Sequence, residues 1–125
     1  MVAMEISHLQ KLTIPVADQD KAKAFYVDTL GFEVRNDTPL PMGNNARWIE
    51  VAPAGGQASF VLCNWMPDAP HVVNVMLQTK NTDADVESLR QAGLTVDDPM
   101  QTPWGKQATF SDPDGNTFVL TDGAS

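Results

Sequence analysis

Residues 14–34 read IPVADQDKAKAFYVDTLGFEV, and residues 77–96 read LQTKNTDADVESLRQAGLTV. Ile14, Val16, Asp18 and Asp20 are followed 63 positions later by Leu77, Thr79, Asn81 and Asp83. Gly31 and Val34 are followed 62 positions later by Gly93 and Val96, so the second copy is one residue shorter. Each copy joins the end of an alternating strand to an amphipathic helix and a glycine stop. A period of this length points to one supersecondary unit used twice.

In the first copy, Leu12, Ile14 and Val16 alternate with Lys11 and Thr13, as in a half-buried strand. Asp18 or Asp20 caps the following helix, whose Ala22, Phe25, Tyr26 and Leu30 form one apolar stripe. Strands are expected at FEV, ARWIEVAP and QASFVLCNW, with Pro/Gly-rich turns at 39–45 and 53–56. In the second copy, residues 71–79 read as a strand with Val73, Val75 and Leu77 on one face and Asn74 and Met76 on the other. Asn81 or Thr82 caps a helix with Val86 and Leu89 inward, and strands follow at LTV, KQATFS and NTFVLTD. The reading is one α+β domain over 1–125, with βαβββ modules at 5–66 and 70–122 and a linker at Pro67–Pro70.

The chain has 125 residues, enough for one core, and 42% hydrophobic against 19% charged residues marks a globular composition. No apolar run approaches the roughly 20 residues of a membrane span. MVAMEISHLQK lacks a basic region leading into an apolar stretch, so no secretory signal is expected. The lone Cys63 permits no internal disulfide and fits a reducing, cytoplasmic setting. A net charge of −8 argues against nucleic acid as a partner.

IPVADQDKAKAFYVDTLGFEV near the start and PWGKQATFSDPDGNTFVLTD at the end, set around a duplicated unit, resemble the vicinal oxygen chelate superfamily. That group includes glyoxalases, bleomycin-resistance proteins and extradiol dioxygenases. The resemblance implies two modules whose mixed sheets curl into a cup-shaped pocket, usually in a homodimer. In metal-dependent members four His, Glu or Gln side chains enter the cup. The resemblance places those positions at Lys11, Val61, Asn74 and Val119, a set that cannot hold a divalent metal. No metal, cofactor or catalytic residue is therefore expected. His8 and His71 also stand 63 apart, but strand parity turns them away from Lys11 and Asn74.

The face opposite the apolar stripe then lines the cup: Lys11, Thr13, Trp48, Glu50, Val61, Cys63, Asn74, Met76, Thr117 and Val119. This is an apolar and aromatic surface with a few polar groups, suited to a small molecule. Trp48 and Trp104 offer rings for a flat ligand, Trp65 a rim, and Met66 and Met100 adaptable walls. The same rings equally serve core or dimer packing. An inward Lys11 needs a carboxylate, with Glu50 available, or an acceptor on a ligand. Asp112 and Asp114 of DPDGN read as turn residues, not a catalytic pair. GNNARW has no phosphate-cradling pattern leading into a helix. The resemblance implies a metal-free protein that binds a hydrophobic or aromatic small molecule, as in the drug-sequestering branch. The alternative is a glyoxalase- or dioxygenase-like enzyme acting on a small oxygenated substrate through an unconventional site.

Overall fold

The computed structural model describes residues 4–42 and 45–123. The first three residues of the N-terminal stretch, and Gly43 and Asn44 of the GNNARW turn, lie outside the described residues. The strands are β1 (Lys11–Pro15), β2 (Glu33–Pro39), β3 (Arg47–Ala52), β4 (Ser59–Cys63), β5 (Val75–Gln78), β6 (Met100–Thr102), β7 (Gly105–Ser111) and β8 (Thr117–Thr121). Helix α1 (Gln19–Ala24) follows β1 and runs into a π-helical turn at Phe25–Thr29, and α2 (Thr82–Gln91) follows β5. The strands form two four-stranded mixed sheets, ordered β1-β4-β3-β2 and β5-β8-β7-β6. In each sheet the first strand pairs in parallel with the last, and the remaining pairs are antiparallel. This is the α+β, twice-βαβββ arrangement expected from the repeat.

The repeat extends to individual contacts. Asp18 caps α1 by accepting from the Lys21 amide, and Asn81, 63 positions on, caps α2 by accepting from the Ala84 amide. Gly31 and Gly93 end the helical segments with φ of +76° and +96°, where a side chain would be strained. Gln19 is buried, and its Nε2 donates to the carbonyls of Arg47 and Leu62 while its Oε1 accepts from the Arg47 amide. Its counterpart Thr82, fully buried, donates to the Lys106 carbonyl. Asp20–Arg47 at 2.8 Å and Asp83–Lys106 at 2.7 Å complete a matched ion pair in each module.

The one-residue difference between the helices has a structural outlet. The Leu30 amide reaches back to the Phe25 carbonyl, an i→i+5 bond that takes up an extra residue in the first helix. Phe25 and Tyr26 are both buried on this turn. The Tyr26 ring meets Phe25, Phe32, Phe60 and Phe118 with centroids 5.3–6.3 Å apart. Phe60 and Phe118, one from each sheet, lie 5.9 Å apart, so one core spans both modules.

Two local expectations are corrected. LTV at 94–96 is not a strand, and the edge strand forms later, at Met100–Thr102. The Arg90 guanidinium donates to the Val96 carbonyl, tying that segment to α2 instead of to a strand ladder. The strand expected over 71–79 is formed only at Val75–Gln78. Asn74 adopts φ +55°, which breaks the alternation and leaves Val73 exposed, off the face shared by Val75 and Leu77.

Candidate functional site

The sheet register assembles the site on the first module. Thr13 stands opposite Val61 on one side of β4, and Glu50 stands opposite Val61 on the other. These three positions make a row on the face turned away from Ile14, Ile49 and Leu62, which are fully buried in the core. Lys11 lies across from Ser59 at the next position on that face.

Glu50 organises the polar part. Its Oε1 accepts the Trp48 indole N–H at 2.8 Å, and its Oε2 accepts the Ser59 hydroxyl at 3.0 Å. Lys11 Nζ approaches Oε2 at 3.6 Å, with the Lys11 side chain 33% and the Glu50 side chain 13% exposed. Burial alone would raise the Glu50 carboxyl. The Trp48 and Ser59 hydrogen bonds and the Lys11 charge outweigh burial and hold it below the usual carboxylate value. Of the two partners open to Lys11, the carboxylate is present within the chain.

Trp48 in turn stacks on Trp65, with centroids 6.1 Å apart and planes within 23°. The ring partner of Trp48 is thus the linker tryptophan. Trp104, on the β6–β7 turn, is 73% exposed. Glu50 accepts the indole N–H of Trp48 while Trp65 stacks on its ring, so two contacts orient this half-buried side chain. Val61 and Cys63 are each 1% exposed on the central strand β4, beneath this layer. They form a floor and offer little surface of their own.

On the second sheet, Met76 pairs with Val119 and Val119 with Thr109, a row matching the one on the first. Met76 is largely exposed and Val119 buried, while the Asn74 amide donates to the Thr117 hydroxyl. The residues placed by family resemblance at metal-ligand positions do not fit a divalent ion. Val61 and Val119 carry no donor atom, Lys11 brings a positive charge, and Asn74 supplies a single amide oxygen. Among the described residues no group of three His, Cys, Asp or Glu side chains is gathered as a metal site. His8 and His71 are both exposed ahead of the first strand of their modules.

The turn residues Asp112 and Asp114 do more than their spacing indicated. Asp112 Oδ1 accepts the amides of Asp114 and Asn116, which is the expected turn. Its Oδ2 also accepts the Tyr26 hydroxyl at 2.6 Å and the Asn116 side-chain amide at 2.8 Å. Asp114 Oδ1 accepts the Ala17 amide, and Asn116 Nδ2 donates to the Pro15 carbonyl. The β7–β8 turn is therefore a clasp on the first module. Beside it lies a cavity of about 350 Å³ lined by Pro15–Ala17, Asn64, Met66, Pro67, Ala69, His71 and Asp114.

The chain matches the Glyoxalase/Bleomycin resistance protein/Dioxygenase superfamily over residues 6–120. It belongs to that superfamily. Among solved structures, TnmS3, an antibiotic binding protein from Streptomyces sp. CB03234, is 46% identical with a TM-score of 0.87. That match covers 98% of this chain and 100% of TnmS3. UcmS2 is 37% identical with a TM-score of 0.81, over 94% of this chain and 99% of that one. The uncharacterized protein YetH of Bacillus subtilis (strain 168) is 30% identical over 92% of this chain and 98% of its own length. Lactoylglutathione lyase from Agrobacterium tumefaciens, 16% identical with a TM-score of 0.69, shares the fold.

Proposed function

We propose that this superfamily member is a metal-independent small-molecule binding protein that captures a hydrophobic or aromatic compound and releases it unaltered. The observation that carries this reading is the Trp48–Trp65 stack, held in place by Glu50 on the face of the first sheet. A stacked indole pair in which Glu50 satisfies the Trp48 N–H offers aromatic surface at a half-buried place, which suits a flat, apolar ligand. Lys11, beside Glu50, and Thr13, in register with Val61 on the same face, would supply donors for a carbonyl or hydroxyl on that ligand. The likeness to an antibiotic binding protein at 46% identity supports a sequestering role, with the antibiotic as cargo.

The sheet faces are completed, in this reading, by a second copy of the chain. Val73, Met76, Met100 and Trp104 are 71%, 57%, 69% and 73% exposed. The register places Met76 and Met100 on one face of the second sheet. An apolar surface of this kind is the usual mark of an interface. Facing the first sheet of a partner, it would add Met76, Val119 and Trp104 to the pocket begun by Trp48, Glu50 and Lys11. Among the described residues no helix is long and apolar enough to cross a membrane. A cytoplasmic role, intercepting cargo inside the cell, follows from the reading.

The test is a titration of intrinsic tryptophan fluorescence with a panel of polycyclic aromatic natural products, followed by recovery and mass analysis of each bound compound. Saturable quenching with unaltered recovery supports sequestration. Turnover of any bound compound beyond one equivalent per protomer would replace this reading with the enzymatic one.

A further inference from the structure

A cavity of about 230 Å³ lies away from the tryptophan pair, on the helical side of the sheets where the two modules meet. Its apolar lining comes from both modules, with Leu30, Phe32 and Pro53 from the first and Leu77, Leu89 and Leu120 among those from the second. Its rim carries Thr29, Asp85 and Ser88. Thr29 is the last residue of the π-helical turn, whereas Asp85 and Ser88 sit on α2. The turn that absorbs the extra residue of the first helix thus helps shape this space, and π-helical turns recur at functional sites.

The lining chemistry selects a ligand. An apolar lining with a few convergent polar groups is the composition of a small-molecule site, and the volume falls below the roughly 300 Å³ at which drug-sized pockets begin. Asp85 is the only charged side chain in the lining, and no lysine or arginine joins it. Its Oδ2 accepts the Thr79 hydroxyl, which holds the carboxylate at the rim. We propose that this cavity is a second binding site, for a small arylalkylamine whose ring enters the apolar part of the cavity and whose ammonium meets Asp85. The site is independent of the tryptophan pair, and neither depends on the other for its test.

The experiment uses the intact protein, amide-detected NMR and three matched probes: phenethylamine, phenethyl alcohol and phenylacetate. Phenethylamine is expected to give saturable shifts at the Leu30, Thr79 and Leu89 amides, with phenylacetate roughly tenfold weaker or worse. Asp85→Asn, which retains an acceptor for Thr79, should bring the amine down to the affinity of the alcohol. Ser88→Trp, at an exposed position of α2, should close the mouth to all three probes. Equal binding of amine and acid, or shifts that survive both variants, would overturn the proposal. So would the absence of saturable shifts at these amides, or shifts confined to the Trp48 and Trp65 indoles.

Discussion

The Tyr26 hydroxyl donates to the Asp112 carboxylate at 2.6 Å, joining the first helix to the last hairpin 86 residues away. Asp112 is 5% exposed and Tyr26 fully buried. Burial and the neighbouring carboxylate push the Tyr26 phenol well above its usual value, so it remains a donor at all ordinary pH. Tyr26→Phe keeps the ring packing and removes one donor from a buried carboxylate. The expected cost is about 2 kcal/mol, read from urea unfolding. A loss below about 0.5 kcal/mol would mean that the remaining donors suffice.

Gln19 makes three backbone hydrogen bonds from a buried position. Gln19→Ala leaves those groups unpaired and should destabilise by about 2–3 kcal/mol. Thr82→Val, which removes a single bond at the matching place in the second module, should cost less. Chemical denaturation of both variants checks the order, and the reverse order would contradict a cost that scales with the number of backbone bonds lost.

Glu50 gives the site a pH dependence. Its folded value lies below the ordinary one, so its contribution is fully present above about 4.3 and is lost as pH falls through the folded value. Stability and the Trp48 emission should both change over that acid range. Glu50→Gln should remove this component of the titration. A transition near neutrality instead would point to a group other than Glu50.

Trp48→Ala and Trp65→Ala should each weaken binding of an aromatic ligand by more than about 1 kcal/mol, measured calorimetrically. Glu50→Gln should have a smaller effect, because an amide still offers an oxygen to the Trp48 indole. Trp104→Ala should weaken binding only if a second copy brings that ring to the pocket. It therefore reports on the assembly as well as on the site.

The fold was legible because the duplication repeats its caps, glycine stops and inward faces at nearly constant spacing. Asp18 with Asn81, and Gly31 with Gly93, are local devices whose meaning depends on a few neighbouring residues. What escaped reading depends on contacts distant in the chain. Asn74 interrupts its strand by adopting a left-handed backbone that alternation does not reveal. The place of β6 is set by pairing with β7, and the Arg90 bond to Val96 holds LTV away from a ladder. Trp65 reads as a rim residue, but only the folded sheet stacks it on Trp48. Ser59 became visible as a partner of Glu50 through the β3–β4 register, which no local pattern encodes. The clasp role of Asp112 was hidden behind its sufficient explanation as a turn residue.

The most direct measurement is native mass spectrometry of the protein incubated with an aromatic natural product that quenches its tryptophan fluorescence. The account expects a dimer carrying one unaltered adduct per protomer, with the adduct lost in the Trp48→Ala/Trp65→Ala double variant while the dimer persists. A compound recovered chemically changed, or an adduct retained in the double variant, would contradict it.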